Sequence, residues 1–327
     1  MTYSTETISY SDLTGLAEPH SRTEPLHVTR NNKFGDNPIA SVCMPIFNKA
    51  RILAEILRTL VGSMSLPYEL ILIDDASADG SYDIARDALE TLPDQSWTLI
   101  KSPVPLYETA CDNIGLALSR GTYFLEVQSD IFVADPGFDK RLIRALEHGK
   151  LSSISGRGCH GFGQLLSVKE HIRTCFINGF RPQHLIADFI GKGLLGDRIE
   201  RGHNRAITHD LYWIAQTNNR GPWLVRVDWA RKMGLLNSQD FFLGNDDHDF
   251  NFRSAQMGRL AGYAPVNITA ALEDGSTRQP RTGLNLEIYQ ELRQTKRGED
   301  ALFQQLRNEP SNAPKKVRVP AEFDVDF

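Results

Sequence analysis

The sequence predicts an α/β fold, a mostly parallel sheet flanked by helices. Three observations carry that expectation. Short apolar runs alternate with stretches of helical period between Ile39 and Val127. One such run, Leu70-Ile71-Leu72-Ile73, ends abruptly in Asp74-Asp75-Ala76-Ser77-Ala78-Asp79-Gly80-Ser81, as a buried parallel strand does at the carboxyl edge where open α/β sheets hold ligands. No internal repeat of solenoid length is visible.

Ala40 to Met44 reads as the first strand, with Pro45-Ile46-Phe47-Asn48 as the loop after it. Ile52, Leu53, Ile56, Leu57, Leu60 and Val61 fall on one helical face. The second strand, Glu69 to Ile73, leads into the acidic turn, where Ser77 or Asp79 suits a helix N-cap. Taken alone, that turn reads equally as a solvated cap and as a ligand site. Ile84, Ala85, Ala88, Leu89 and Leu92 repeat the helical spacing. Trp97 to Lys101 supplies a third strand, residues 109 to 119 a third helix, and Tyr123 to Val127 a fourth strand running into Gln128-Ser129-Asp130. Units of this length predict right-handed crossovers.

After Pro136 the alternation fades, and residues 150 to 222 are rich in Gly, His, Arg and Asn, as expected of a variable, partner-recognising half. Trp223 to Val227 predicts a strand and Trp229 to Gly234 a short helix. The acidic cluster Asn245-Asp246-Asp247-His248-Asp249 precedes a helix stopped at Gly258. A last long helix is expected from about Asn285 to Asn308, interrupted by the charged Lys296 to Asp300 stretch. The first 37 residues lack a clear period and predict a loosely ordered or peripherally packed extension.

The composition limits the function classes. The chain has 327 residues, 41% hydrophobic and 24% charged, enough for an ample core without disulfide staples. Its four cysteines, Cys43, Cys111, Cys159 and Cys175, form no CxxC pair, which disfavours a zinc site or disulfide framework and suits a reducing, cytoplasmic compartment. A net charge of −5 gives no reason to bind nucleic acid. No stretch approaches the roughly 18 to 20 apolar residues of a spanning helix, so a soluble protein is expected.

Three acidic stations follow one another: Asp74/Asp75, Asp130, and Asp246/Asp247/Asp249. Carboxylates gathered at one sheet edge suit Mg²⁺ or Mn²⁺ held against a diphosphate, and the third station can supply a general base. In these blocks the chain resembles a family 2 glycosyltransferase of the GT-A fold. The matching pieces are Val42-Cys43-Met44-Pro45-Ile46-Phe47-Asn48, then Ile71 to Ser81, then Asn113-Ile114-Gly115 through Gly121-Thr122-Tyr123 to Ser129-Asp130, and last Asp246-Asp247-His248-Asp249 through Arg253. They span residues 40 to about 275.

The resemblance implies a Rossmann-like nucleotide-sugar-binding half at 38–135, an acceptor-binding and catalytic half at 136–280, and a C-terminal helix and tail at 281–327. It implies nucleoside contacts from Pro45, Phe47, Asn48 and Asp75. Gln128 and Ser129 would meet the ribose, and Asp130 the metal diphosphate. Asp247 would be the base of a single inverting displacement, with Asp246 and Asp249 orienting it or bonding the acceptor. His248 takes no role, and Arg253 is expected to pair with these acids. The implied donor is a UDP, GDP or dTDP sugar. The implied acceptor is a hydroxyl on a glycan, a lipid-linked saccharide or a glycoprotein, and a lipid-linked one would bring the protein to a membrane surface.

The sequence departs from the family pattern in three places. Gln128 stands where an aspartate is usual, leaving the site one carboxylate short, and adds no charge toward a metal. Asp112 stands where an arginine is common, removing a cation. Where a histidine often completes the metal site, the sequence reads Leu272-Glu273-Asp274-Gly275-Ser276-Thr277, with Glu273 or Asp274 as a substitute ligand or the whole as a loop turn. Gln128 and Asp112 also motivate an alternative, a catalytically inactive nucleotide-sugar- or glycan-binding module. A nucleotidyltransferase would carry a glycine-rich basic phosphate loop, and Pro45 to Arg51 offers none. His160, His184, Trp213 and Trp223 are candidates for the acceptor side, because aromatic faces suit sugar rings, each with a packing role as the plainer reading.

Overall fold

The computed structural model describes residues 3–31, 38–92, 94–166, 198–201, 210–271 and 280–326. In chain order these give β1 (Ser4–Ile8), α1 (Tyr10–Thr14), β2 (Leu26–Asn31), β3 (Ala40–Ile46), α2 (Leu53–Ser63), β4 (Tyr68–Asp75), α3 (Ser81–Glu90), β5 (Ser96–Ser102), α4 (Glu108–Leu118), β6 (Tyr123–Glu126), β7 (Ile131–Val133) and α5 (Phe138–Gly149). Then come β8 (Ser153–Ser155), β9 (Cys159–His160), β10 (Arg198–Arg201), β11 (Leu211–Ala215), β12 (Thr217–Asn218), β13 (Trp223–Arg226), α6 (Val227–Lys232), α7 (Asp246–Gln256), β14 (Ala261–Tyr263), β15 (Ile268–Ala271), α8 (Gly283–Thr295), α9 (Gly298–Leu306) and β16 (Lys315–Arg318).

The main sheet has the order β1-β2-β5-β4-β3-β6-β13-β8-β14-β11-β16. Its centre, β5-β4-β3-β6, is parallel, as the alternating pattern predicts. Most of its flanks are antiparallel: β13 runs against both β6 and β8, and β11 against β14 and β16. The whole is therefore mixed, with its parallel part confined to β5-β4-β3-β6 and the β8–β14 pair.

Strand periodicity explains the two-sided core. Val42, Met44, Leu70 and Leu72 face one side, where Ile56, Leu60, Ala85, Leu89 and Leu142 of α2, α3 and α5 cover them. The alternate residues Cys43, Ile71 and Ile73 face the other side and meet Tyr10, Ala110, Ile114 and Trp229 of α1, α4 and α6. Burying both faces fixes the register, and Asp74 and Asp75 come to the carboxyl edge beside Ile46, Lys101 and Ser102.

Two expectations are corrected. The N-terminal stretch is part of the sheet: β1 pairs with β2, and β2 with β5. Leu26, Val28 and Tyr10 are buried, an alternation too short to stand out among polar neighbours. The last helix is not continuous through its charged interruption: it is two helices, broken at Lys296-Arg297 within that stretch. The Lys296 ammonium donates to the Ser238 and Gln239 carbonyls at 2.5 and 3.1 Å. At Gly298 a Cβ would lie 2.5 Å from the Phe241 ring, so glycine lets α9 start against that side chain. Cys43, Cys111 and Cys159 are buried, and among the described residues none of them forms a disulfide; Cys175 lies outside the described residues. Among the described residues no helix is long and apolar enough to cross a membrane.

Gly121 sits where a Cβ would come within 2.9 Å of the Ala40 and Ser41 backbone, which cannot yield as a side chain does. Gly121→Ala is expected to cost about 1–3 kcal/mol in urea denaturation. Gly62→Ala, on α2 with nothing within 4 Å of its Cβ, is expected to be neutral or stabilising by up to about 1 kcal/mol.

Candidate functional site at the carboxyl edge

The loops after β3 and β4 brace one another. Asn48 takes a left-handed backbone (φ 52°); its N–H donates to Ser77 Oγ at 3.0 Å and its Oδ1 accepts the Ala78 N–H at 2.9 Å. Asp79 accepts from the Ser81 N–H, the Ser81 hydroxyl and the Ala50 N–H. Burial raises its pKa, but these bonds together hold it below the ordinary value. Asp79 thus does the work of a cap for α3 from one residue ahead of the left-handed Gly80. Pro45 and Phe47 are half-buried at the same edge.

Asp75 is buried, and its two oxygens accept the Leu106 N–H (2.5 Å) and the Tyr107 N–H (3.0 Å), fixing the turn that starts α4. Burial pushes its pKa up to about 7 against the pull of those two bonds. Asp74 is buried beside it, its pKa raised by burial and opposed by Ser77 and Lys101.

The second station opens toward α4 and β8. The Gln128 amide nitrogen donates to Glu108 Oε1 at 2.9 Å, and its carbonyl oxygen accepts from Arg157 Nη1 at 3.1 Å. Ser129 is buried and Asp130 half-buried beside them.

At the third station Arg220 organises the acids. Its guanidinium donates to Asp112 and Asp246 and lies 3.9 Å from Glu108. Its backbone N–H donates to Asp247 Oδ2 at 3.1 Å. Asp247 Oδ1 accepts the His248 N–H at 2.8 Å, and the His248 ring meets the Thr217 hydroxyl at 2.7 Å. Asn245, in a left-handed turn (φ 63°), starts α7, so Asp246 and Asp247 lie in the first helical turn, where the macrodipole favours negative charge.

Burial raises the pKa of Glu108, Asp112, Glu126 and Asp246, and Arg220 opposes it in each. For Arg220 burial works against the charge, but Asp246, Asp112, Glu108 and Asp247 outweigh it and hold the guanidinium protonated. Neither Glu126 oxygen has a hydrogen-bond partner.

Gln128 and the Asp246/Asp247 pair are therefore linked through residues the sequence did not single out, whereas Asp75 is tied to the backbone that starts α4. Glu108 touches Gln128 and approaches Arg220; Arg220 joins Asp112, Asp246 and Asp247; Arg157 reaches Gln128. Asp112, where a cation was expected to be lost, itself receives the Arg220 guanidinium. Asp249 is drawn away to Arg253 at 2.7 Å, which also donates to the Met233 and Leu235 carbonyls. Trp223 is a core residue between Phe124 and Phe250, Trp213 packs on Tyr263, and His160 is buried with its ring 6.5 Å from His248. His184, Glu273 and Asp274 lie outside the described residues.

The donor set was also tested against the divalent cation expected at Asp130. Among the described residues no group of three or more His, Cys, Asp or Glu is placed to hold a metal ion. Position 128 presents an amide oxygen turned to a guanidinium, and Asp112 and Asp246 are taken by Arg220. Among the described residues this set does not by itself hold a divalent cation.

The family model described as Glycosyl transferase family 2 matches residues 41–234. An uncharacterized glycosyltransferase of Haemophilus influenzae is 31% identical over 105 residues, 32% of this chain and 41% of that protein. A poly(ribitol-phosphate) beta-glucosyltransferase of Bacillus spizizenii is 28% identical over 128 residues, 36% of this chain and 20% of that protein. The chain thus spans less than half the length of these relatives. A mannosyltransferase of Pyrobaculum calidifontis, in complex with GDP-Man and Mn²⁺, superposes with TM-score 0.53 at 16% identity, covering 85% of this chain and 67% of that one. GalNAc-T7 with UDP, GalNAc and Mn²⁺ gives 0.51 at 11% identity, covering 80% and 48%. These superpositions share the GT-A fold.

Removing Arg220 leaves buried acids without their cation, so Arg220→Met is expected to lose about 3–5 kcal/mol in urea denaturation. Asp75 binds its proton more tightly folded than unfolded, so its contribution to stability is full below about pH 4 and lost as pH rises through about 7. Stability of wild type relative to Asp75→Ala, measured from pH 5 to 8, is expected to shrink as pH rises.

Proposed function

Because this chain belongs to glycosyl transferase family 2, we propose that it moves a sugar from a nucleoside diphosphate donor to a hydroxyl of a saccharide acceptor, inverting the anomeric centre with Asp247 as general base. The placement of Asp247 carries the reading. It is a buried carboxylate in the first turn of α7, oriented by the Arg220 and His248 N–H groups. Each of its oxygens keeps a lone pair for a proton. Its neighbour Asp246 is committed to Arg220.

In this reading the acceptor O–H gives its proton to Asp247 as its oxygen attacks the anomeric carbon. The bond from that carbon to the diphosphate breaks on the opposite face. Pro45, Phe47, Asn48, Asp75, Gln128 and Ser129 form the donor edge, and Asp130 is the carboxylate nearest the diphosphate. The nucleotides named with the superposed structures, GDP-Man and UDP, support a nucleoside diphosphate donor. The amide at Gln128 favours a second reading, a binding module that kept the fold without catalysis; it predicts nucleotide-sugar binding without diphosphate release for every acceptor tried.

Asp247→Asn is expected to lower nucleoside diphosphate release by about 10²–10⁴-fold while leaving donor affinity by calorimetry essentially unchanged. Unchanged turnover in that variant refutes the assignment, and NMR of the product's anomeric proton reads the inversion.

A further inference from the structure

We propose that Arg157 is the cation that receives the donor's diphosphate, so that nucleotide binding at this edge does not depend on a divalent metal. The inference rests on the donor-edge reading above and names the group that meets the leaving group's charge.

Arginines around this half of the molecule are mostly neutralised. Arg120, Arg141, Arg220, Arg226 and Arg253 each reach a carboxylate. Among the described residues the Arg157 side chain reaches only the neutral Gln128 amide oxygen, at 3.1 Å. It is half-buried at the edge, so the rest of its planar N–H fork is available, and that fork matches two phosphate oxygens.

The backbone holds it there. The Arg157 N–H donates to Ser155 Oγ at 2.8 Å, and the Gly156 N–H to the Pro222 carbonyl at 2.8 Å. A Cβ on Gly156 would lie 2.6 Å from Val266 and 2.7 Å from Pro222, and one on Gly221 3.0 Å from Gln128 Oε1. Glycine at both positions lets the end of β8 close on Gln128. The Gln128 amide is oriented by Glu108, which takes its N–H and so turns its oxygen to Arg157. Asp112 and Asp246 do not compete for this cation, because Arg220 occupies them.

As the bond to the anomeric carbon breaks, its electron pair goes to the terminal phosphate oxygen. A fixed guanidinium beside that oxygen stabilises the charge that develops there.

Calorimetry of the full chain with UDP, GDP and dTDP, in EDTA and again with Mn²⁺, tests the inference. At least one of these nucleotides is expected to bind in EDTA. Arg157→Ala should weaken that binding by about tenfold or more, the scale of one hydrogen bond to a charged group. Arg157→Lys should recover part of it, and the matching nucleoside monophosphate should lose less than the diphosphate. Unliganded melting temperatures equal to wild type establish that the variants fold, and Arg157→Gln serves if the alanine variant does not. Wild-type binding only with Mn²⁺ overturns the inference and leaves the donor reading standing. An unchanged affinity in Arg157→Ala, or a loss confined to nucleotide sugars with UDP unaffected, also overturns it. Binding of no nucleotide under either condition overturns the donor reading together with it.

Discussion

One buried guanidinium holds the functional edge together. Taking an arginine out of water costs several kcal/mol, and Arg220 recovers that only because Asp112 and Asp246 receive its two nitrogens and Glu108 lies close by. The same residue, through its backbone, sets the orientation of Asp247. Three elements are thus clamped by one side chain: α4, α7 and the segment before β13. More acids surround this charge than it can neutralise. Burial raises the pKa of Glu126, whose oxygens find no hydrogen-bond partner among the described residues.

The sheet makes that clamp useful. Both faces of the central strands are covered, so the strands cannot slip without exposing a full row of apolar side chains. The loops at their carboxyl ends inherit this rigidity and reinforce it. Asn48 is tied to the turn after β4, and Asp75 to the start of α4. A site built on strand ends and helix starts is held more tightly than one on free loops.

The parallel centre could be read from the sequence because each strand there is an apolar run, as at Val42 to Met44 and Leu70 to Ile73, joined by amphipathic helices. The three acidic stations were legible for the same reason, since they sit where those runs stop. The connections between them were not. Arg220 lies in a polar stretch without periodicity, 108 and 26 positions from Asp112 and Asp246, so nothing local marks the contact. Position 112 reads as a lost cation because the sequence cannot say that its carboxylate pairs with an arginine from another segment. Asp249 and Arg253 stand four apart on α7, a spacing that favours their pairing over a role at the site. The break between α8 and α9 falls in the charged stretch that interrupts the sequence pattern, but the fit of Gly298 against Phe241 is not legible there.

The outer strands of the main sheet, β1 and β16, come from opposite regions of the sequence. An outer strand carries a row of unpaired backbone groups, a template on which another chain can add. On β16 that row is flanked by exposed Lys315, Lys316 and Arg318, so a second copy approaching in register would bring like charges together. Among the described residues no further strand pairs with β16, and repulsion opposes edge-to-edge growth there. Such a guard weakens with ionic strength, since at 1 M salt the screening length is about 3 Å. Concentrated salt therefore weakens the repulsion along this edge.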